Sequence, residues 1–445
     1  MSKYNRNKHK EILKLMEEAS LAIVSLVQAG NVSEVPQVLV DCQDTAVALG
    51  THIEQLYGMQ TQTVAALEEY CNALYQVSVS MDENSLIELA EALERIQLTY
   101  DAEFPDKKEV VFLPYNASMW DSLESVWKAA RDDENCEAYV IPIPYYSLDR
   151  NGSAREFHYE GDQYPDYVPI THYEDYDLEL HHPDVIFIHN PYDGCNLVTS
   201  VAPEFYSARI REFTDCLVYI PYFVLQEISP DNQAAIDNMK HFCTLPGVAY
   251  ADKVIVQSEN MRQIYINEYM KAVEASGEKM DRRILEERIL GLGSPKLDKV
   301  ANTKKADLEI PDEWLNIIQK EDGTWKKIIF YNTSIAAFLK NGEEMLEKMK
   351  DVLRIFKENK DEIALLWRPH PLMMETIESM CKGLQEEYVS IINQYREEGW
   401  GIYDDTADMH RAVTLSDAYY GDQSSVVQVY QETGKPIMIQ NVLVK

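Results

Sequence analysis

Positive charge is scarce in this chain of 445 residues, in which 41 Lys and Arg stand against 75 Asp and Glu, giving a formal net charge of −34. Such an acidic surface repels nucleic acid and anionic lipid at long range. We therefore expect no nucleic-acid partner and at most a peripheral contact with a membrane. A compact basic cleft for a phosphorylated ligand stays compatible with this charge, because the net charge says little about one site.

Long apolar runs are also lacking, since no stretch approaches the roughly 20 apolar residues that a membrane helix needs. The first twenty residues form a basic start that continues into an amphipathic pattern, without the apolar region of a signal peptide. The seven cysteines are scattered and show no CxxC spacing, which is typical of free thiols. The sequence thus predicts a cytoplasmic protein. We expect any contact with the membrane to be peripheral and at its inner face.

Several catalytic signatures are absent from the sequence. It contains no GxSxG elbow, no P-loop and no kinase signature. Histidine and aspartate cluster between residues 158 and 193, but their spacing matches neither a helical HExxH motif nor a zinc pattern. We therefore expect no metal site and no cofactor.

Residues 1–104 carry apolar side chains at three- and four-residue spacing in four segments, which predicts a bundle of four helices. No residue in this region suggests catalysis. We expect these helices to associate with a protein partner or with a second copy of the chain.

From residue 105 onward, apolar strand patterns alternate with amphipathic helix patterns, which indicates an α/β fold with parallel sheets. We predict a Rossmann-like lobe over 105–300, a charged linker that contains proline over 301–324, and a second Rossmann-like lobe over 325–445. Residues 147–182 lack a steady period and are expected to form a long surface excursion over the binding edge. In such folds ligands bind at the carboxyl ends of the strands, which here face the cleft between the lobes.

The stretch 415–439, LSDAYYGDQSSVVQVYQETGKPIMI, predicts a strand, a polar loop, a helix and another strand. Ser424 and Ser425 open the helix, and Asp422 and Gln423 precede them in the loop. Small polar residues at a helix N-terminus leave free N–H groups that suit a phosphate. An ordinary α/β turn with a serine cap is the alternative.

Two further polar loops follow strands of the same lobe. Arg368 and His370 lie in WRPHP, where an arginine and a histidine can meet a diphosphate and stabilise charge on the leaving phosphate. Asn332, Thr333 and Ser334 close the strand pattern IIFYN and form a third candidate ligand loop. A loop histidine that is satisfied by its own neighbours is the alternative for His370.

In the first lobe, His189 ends a predicted strand and is the candidate general base for an incoming hydroxyl. Four other histidines compete with it for this role: His172, His181, His182 and His241.

The segments GLGSPKLDKV, IIFYNTS, RPHP and SDAYYGDQSSVVQVYQETGKPIMI occur in an order that resembles the CDP-glycerol glycerophosphotransferase (teichoic acid polymerase-like) family. The resemblance implies a GT-B fold, in which two Rossmann-like lobes enclose the donor. It also implies that His370 contacts the donor phosphate and that Ser424 and Ser425 bind the diphosphate. Lys296 stands where the family usually has an arginine.

One departure from the family concerns the acceptor lobe, where family members carry a His-Gly-Thr-Pro segment whose histidine looks like the catalytic base. This chain has YIPYFVLQE at residues 219–227, without a histidine. Three hypotheses therefore stand: transfer of a glycerophosphoryl group from CDP-glycerol to a cell-surface glycan or teichoic-acid-like acceptor, a nucleotide-sugar glycosyltransferase or 2-epimerase, or a non-catalytic interaction protein on a GT-B scaffold.

Overall fold

The computed structural model of the protein describes residues 1–406 and 408–440. Its first part consists of the four helices α1 Lys3–Gln28, α2 Val35–Tyr57, α3 Gln62–Ser80 and α4 Glu83–Glu103. Side chains of Ser2, Thr61 and Asp82 cap the N-termini of α1, α3 and α4 by accepting backbone N–H groups. The apolar faces of the four helices share one buried core, as their heptad-like spacing predicts.

The first lobe is built on a parallel sheet of six strands in the order β2-β1-β5-β7-β8-β9. The strands up to residue 291 are β1 Lys108–Leu113, β2 Cys136–Val140, β3 Tyr145–Leu148, β4 Ala154–His158, β5 Val185–Ile188, β6 Thr199–Val201, β7 Cys216–Tyr219, β8 Lys253–Val256 and β9 Ile289–Gly291. The helices are α5 Glu124–Asp132, α6 Leu178–His181, α7 Ser207–Ile210, α8 Gln233–Met239, α9 Pro246–Tyr250, α10 Glu259–Ala275 and α11 Arg282–Arg288.

Alternate residues of these strands face two separate cores on the two sides of the sheet. In β1, Val111 and Leu113 lie in one core, whereas Val110 and Phe112 lie in the other. A strand that is buried on both faces reads as a continuous apolar run, which is why EVVFL shows no polar alternation.

The predicted surface excursion contains structure of its own. Strands β3, β4 and β6 form a small antiparallel sheet in the order β4-β3-β6. Two arginines of the hairpin β3–β4 contact the second lobe. The guanidinium of Arg150 donates to the Ser379 carbonyl at 2.8 Å, and Arg155 pairs with Glu378 at 2.7 Å. The excursion thus bridges the cleft.

Between the two large sheets the chain forms α12 Pro295–Asn302 and α13 Asp312–Ile318. Trp314 and Ile318 of α13 are buried in the core of the second lobe. The segment predicted as a linker is therefore packed along part of its length.

The second lobe has a parallel sheet of five strands in the order β12-β11-β10-β13-β14. Its strands are β10 Lys327–Thr333, β11 Ile363–Pro369, β12 Ile402–Tyr403, β13 Ala418–Gly421 and β14 Ile437–Ile439. Its helices are α14 Ile335–Asn341, α15 Glu343–Lys357, α16 Met373–Met380, α17 Gln385–Glu398, α18 Met409–Leu415 and α19 Ser425–Gln431. As in the first lobe, both faces of the sheet are covered by apolar cores.

The periodicity of residues 374–395 indicates one long helix, but the structure has two helices there. Helix α16 ends at Met380, a 3-10 turn spans Lys382–Leu384, and α17 starts at Gln385. Gly383 lies in the break, and a glycine weakens a helix by about 1 kcal/mol relative to alanine.

Two Rossmann-like lobes behind four N-terminal helices confirm the predicted fold class, a mixed α/β fold of the GT-B type. The boundaries of the domains stay a prediction, and residues 441–445 of the predicted second lobe lie outside the described residues. Within the described part of the chain, no helix is both long and apolar enough to cross a membrane.

Candidate active site

Three neighbouring strands of the second lobe, β11, β10 and β13, end at the same edge of the sheet and carry the three predicted loops. In the register of the sheet, Asn332 lies beside Arg368 on one side and beside Gly421 on the other. The backbones approach closely, since a Cβ on Gly421 would lie 2.2 Å from the Asn332 carbonyl oxygen. Only glycine allows this approach, which brings the loop 422–425 next to residues 332–334.

A cleft of about 490 Å³ opens at this edge between the two lobes. We call it the main cleft. The predicted residues that line it are Arg368, His370, Asn332, Ser334, Gln423, Ser424 and Ser425. The first lobe and the connection contribute Ser118, Met119, Tyr192, Tyr222, Phe223, Val224, Leu225, Phe242 and Lys296.

His370 turns one ring nitrogen to the protein and leaves the other for a ligand. Its Nδ1 accepts the backbone N–H of Leu372 at 3.1 Å, and its own backbone N–H donates to the Thr333 carbonyl at 3.0 Å. Burial, followed by the charges of Arg368 and Lys296, lowers the pKa of His370 to about 4. The ring is therefore neutral at pH 7 with its proton on Nε2, which bonds to no described residue. Nε2–H is a hydrogen-bond donor available to a phosphate oxygen.

Arg368 is held by a buried carboxylate. Its Nη1 donates to Asp404 Oδ2 at 2.8 Å, and Asp404 Oδ1 accepts the backbone N–H and the hydroxyl of Thr406. This is the one hydrogen bond of the guanidinium to the described residues, and a guanidinium has five N–H donors. Arg368 is thus fixed in place and still able to bind an anion.

Ser424 and Ser425 differ in their availability. The Ser424 hydroxyl donates to Asn332 Oδ1 at 2.9 Å and accepts the Val426 N–H, so it caps α19 and joins two loops. Ser425 and Gln423 are exposed to the main cleft. Helix α19 has only seven residues, so these polar side chains, rather than a helix dipole, are the groups that face the main cleft here.

Asp422 and Thr333 are placed behind the site rather than in it. The Asp422 carboxylate accepts the backbone N–H of Ser334 at 2.8 Å and pairs with the buried Lys348 at 2.6 Å. The Thr333 side chain is fully buried and accepts the indole N–H of Trp367 at 3.3 Å. Neither side chain lines the main cleft, so the geometry makes them supports of the loops.

Lys296 adds a cation that the two lobes hold jointly. It pairs with Asp121 of the first lobe at 2.5 Å, and Asp121 also accepts Nε2–H of His410 from the second lobe at 2.6 Å. Burial alone would raise the pKa of the Asp121 carboxyl, but Lys296 and His410 hold it well below its ordinary value. Lys296 is also one of the residues that line the main cleft.

His189 has no free ring nitrogen. It is fully buried, its Nε2 accepts the backbone N–H of Tyr115 at 3.1 Å, and its Nδ1 is 2.9 Å from the hydroxyl of Ser122, which itself donates to the Met119 carbonyl. Burial, followed by the charge of Lys296, lowers the pKa of His189 to about 3. In this arrangement the histidine cannot take a proton from an acceptor hydroxyl, so the geometry speaks against the predicted role of general base.

Neither His189 nor any of the competing histidines lines the main cleft. His181 bonds to the buried Glu109, His182 lies near Asp215, and His172 caps a short turn in the excursion. The ring centre of His241 lies 4.0 Å from that of Phe242 at an interplanar angle of 38°, and His241 does not line the cleft. Across residues 1–406 and 408–440 there is no group of three or more side chains suited to a metal ion.

A second pocket, of about 400 Å³, lies on the other side of the residues 368–371. We call it the side pocket. The residues that line it include Asn116, Ser118, Tyr145, Glu160, Gln163, Arg368, His370, Leu372, Met373, Glu375, Tyr388, Ile392, Arg396, Tyr403, Asp404, Asp405 and Thr406. Arg368 and His370 thus stand between the two pockets.

With this geometry in place, comparison with known proteins gives one family. Residues 235–442 match the model of the family CDP-Glycerol:Poly(glycerophosphate) glycerophosphotransferase. The resemblance seen in the sequence is confirmed. The match includes all three polar loops of the second lobe and indicates a role like that of a glycerophosphotransferase. No curated protein matches the chain.

Solved structures with a similar fold include two kinds of enzyme. The wall teichoic acid polymerase TagF is 14% identical, with 84% of this chain and 78% of that chain covered and a TM-score of 0.43. MnaA of S. aureus in a structure with UDP is 13% identical, with 75% and 78% covered and a TM-score of 0.43. The Methanocaldococcus jannaschii UDP-GlcNAc 2-epimerase is 10% identical, with 74% and 83% covered and a TM-score of 0.42. At such low identities and TM-scores, these likenesses say nothing about the activity of this chain.

The sequence did not reveal the partners of Lys296 or the side pocket. Asp121 and His410 are 289 residues apart, and their contact arises only when the lobes meet. A signal existed for Lys296, because it occupies the position of a family arginine in GSPKLD.

Proposed function

We propose that this protein transfers a glycerophosphoryl group from CDP-glycerol to a hydroxyl group of a cell-surface glycan or teichoic-acid-like acceptor. The acceptor is a polyol or glycan, and the reaction takes place on the cytoplasmic side of the membrane. No cofactor or metal is assigned to the step.

In the proposed step an acceptor hydroxyl oxygen attacks the phosphorus that bears the glycerol. A new O–P bond forms, the bond from that phosphorus to the oxygen bridging the two phosphates breaks, and CMP leaves with the electron pair. The acceptor proton ends in solvent. Nε2–H of His370 and the guanidinium of Arg368 would stabilise the negative charge of the phosphate oxygens, because both are hydrogen-bond donors that are fixed before the nucleotide binds.

The observation that carries this proposal is the meeting of Arg368, His370, Asn332 and Ser424 at one sheet edge, inside the region that matches the family. Each of these side chains has its own support from the protein. Preorganised donors stabilise charge that develops during a reaction without having to reorient. A lobe with a merely structural role would have no need of them.

A calorimetric titration tests the donor. CDP-glycerol, CDP, UDP-glucose, UDP-GlcNAc and UMP are titrated into the protein and into a variant with Ser424→Leu and Ser425→Leu. The control is the same double change at Ser78 and Ser80, which are exposed on α3. We expect cytidine-selective binding that the site variant loses and the control keeps. Equal binding of CDP-glycerol to both variants would contradict the proposed donor site.

A non-catalytic scaffold is the second candidate, and one observation favours it. Both ring nitrogens of His189 are engaged, and the segment 219–227 offers no histidine in its place. Such a protein would bind CDP-glycerol without ever releasing CMP. A coupled assay for CMP with glycerol phosphate oligomers as acceptors separates the two candidates, since only an enzyme gives a signal that His370→Ala removes.

The four N-terminal helices would then serve association with a partner or with a second copy. None of their residues lines the main cleft or the side pocket. They pack against the first lobe through hydrogen bonds of Ser2, Asn5 and Arg6. Light scattering of the full chain tests self-association: a mass near 51.3 kDa would contradict it.

A further inference from the structure

The two pockets beside His370 differ in the charge of their walls. Among the described residues that line the main cleft there is no carboxylate, and Lys296 and Arg368 are the charged ones. The side pocket is lined by Glu160 and Glu375 in addition to the aspartates that hold arginines. An anion is therefore favoured in the main cleft over the side pocket, where four carboxylates stand beside Arg368 and Arg396.

The side chain of Glu375 has no hydrogen-bond partner among the described residues. It is the third residue of α16 and half-buried, and its Oε2 is buried without a hydrogen bond to any described residue. Burial, together with the charge of Glu160, raises the pKa of the Glu375 carboxyl. A buried carboxylate oxygen without a donor is costly, so this group is prepared for a ligand that brings one.

Glu160, on the opposite wall, is already satisfied. It accepts the hydroxyl of Tyr145 at 2.5 Å, the side-chain amide of Asn116 at 3.2 Å and the backbone N–H of Ala117 at 2.8 Å. Glu160 therefore fixes the wall of the first lobe, and Glu375 is the acceptor that remains open.

The rest of the pocket suits a flat, neutral ring. Leu372, Met373 and Ile392 supply apolar surface, and Tyr388 and Tyr403 supply aromatic surface. Arg150 and Arg155 of the first lobe contact α16, the helix that carries Met373 and Glu375. Its volume of about 400 Å³ is within the range of small-molecule sites.

The two common pyrimidine rings differ at the edge that a carboxylate can read. Cytosine presents its exocyclic amino group as a donor, and glutamate accepts a hydrogen bond from it. Uracil presents a carbonyl oxygen at the same place, which a carboxylate repels. Most of the pocket comes from the second lobe, the proposed donor lobe, and it adjoins the residues proposed to hold the diphosphate.

We infer that the side pocket binds the pyrimidine ring of the donor and that Glu375 selects cytosine over uracil by accepting the exocyclic amino group. The inference rests on the proposed function, because it places the base of the same nucleotide whose phosphates meet His370. It adds the residue that decides the choice of nucleotide.

The experiment compares CDP and UDP by calorimetry in the full chain, in Glu375→Gln and in Glu386→Gln. Glu386 is the matched control, since it is exposed on α17 and lines neither pocket. The unaltered protein should prefer CDP by about tenfold or more. In Glu375→Gln the ratio should fall to about threefold or less, because an amide can pair with either ring edge. Glu386→Gln should keep the ratio of the unaltered protein.

Titration with inorganic pyrophosphate shows whether each variant retains its phosphate site. A thermal melt shows whether it retains its fold. If CDP binds in a manner that depends on Ser424 and Ser425, but Glu375→Gln keeps the full preference, the inference is overturned and the proposed function stands. If the unaltered protein binds neither nucleotide, or prefers UDP, both are overturned. A second variant, Glu375→Ala, should weaken CDP binding and leave the affinity for pyrophosphate unchanged.

Discussion

His370 and His189 each follow the carboxyl end of a parallel strand, one in each lobe, yet their surroundings give them different capacities. Both are neutral, since burial lowers the pKa of His370 to about 4 and that of His189 to about 3. One ring nitrogen of His370 accepts the backbone N–H of Leu372, and the other has no hydrogen bond to a described residue. Both ring nitrogens of His189 are hydrogen-bonded, one to Tyr115 and one to Ser122.

A place at the end of a parallel strand is therefore not enough to make a histidine available to a ligand, because burial and hydrogen-bond partners decide what its ring can do. The same distinction separates Ser425 from Asp422 within one loop. Ser425 is exposed to the main cleft, whereas the carboxylate of Asp422 is buried against Lys348 and Ser334. Loss of a free group should reduce activity, and loss of an engaged group should reduce stability.

The largest effect is expected from His370→Ala. Removing a preorganised donor to a developing charge costs about 10²–10³-fold in rate. CMP release should fall by that factor while the protein stays folded, with a somewhat lower melting temperature because the backbone N–H of Leu372 loses its acceptor. His370→Gln, which keeps an N–H donor, should retain more activity than the alanine variant. Full activity in His370→Ala would remove the role proposed for this residue.

Asp422→Ala should act on stability. It leaves the buried Lys348 without its carboxylate, and breaking a buried ion pair costs about 3–5 kcal/mol. Urea denaturation gives the free energy of unfolding. The comparison variant is Gln423→Ala, which should weaken donor binding and leave the free energy of unfolding unchanged, because Gln423 is exposed. An Asp422→Ala variant of normal stability that fails to bind donor would restore Asp422 as a ligand.

His189→Leu should destabilise the protein by about 1–3 kcal/mol, because it leaves the Tyr115 N–H buried without an acceptor. The rate of CMP release per folded molecule should change by about threefold or less. A loss of rate as large as that of His370→Ala, in a folded variant, would reinstate His189 as a catalytic group.

The last prediction concerns the dependence of stability on pH. The unfolded chain protonates its histidines near pH 6.5, whereas His189 and His370 stay neutral in the folded state down to about pH 3 and 4. The unfolded state therefore binds more protons in this window, and stability falls as the pH drops from about 6 to 4. Each such histidine contributes about 1.4 kcal/mol per pH unit. His189→Leu should reduce the slope of unfolding free energy against pH by about that amount; an unchanged slope would mean that His189 titrates normally.

Much of the fold follows from the sequence, because a parallel strand buried on both faces leaves a short apolar run such as EVVFL or IALLW. The same pattern identifies the three polar loops, since side chains that follow neighbouring strands meet at one edge. The break between α16 and α17 did not follow, because the apolar period continues through it and only Gly383 marks the interruption.

What the sequence could not supply is the set of contacts between distant segments. Nothing near His189 in the chain indicates that Tyr115 and Ser122 will satisfy it, 74 and 67 residues away. Likewise, Glu375 is an ordinary acidic residue in the first turn of a helix until the first lobe closes over it. Whether a polar group is hydrogen-bonded or exposed depends on the tertiary structure, and this decides which role the group can have.

The measurement that tests the comparison most directly is nitrogen NMR of ¹⁵N-histidine-labelled protein, with and without CDP-glycerol. His370→Gln and His189→Gln variants assign the two rings. At pH 7 both should be neutral, with the proton of His370 on Nε2. Addition of CDP-glycerol should shift the Nε2 signal of His370 and leave the signals of His189 in place. A His370 signal that does not respond to bound CDP-glycerol, or a His189 ring that responds in its place, would contradict the account.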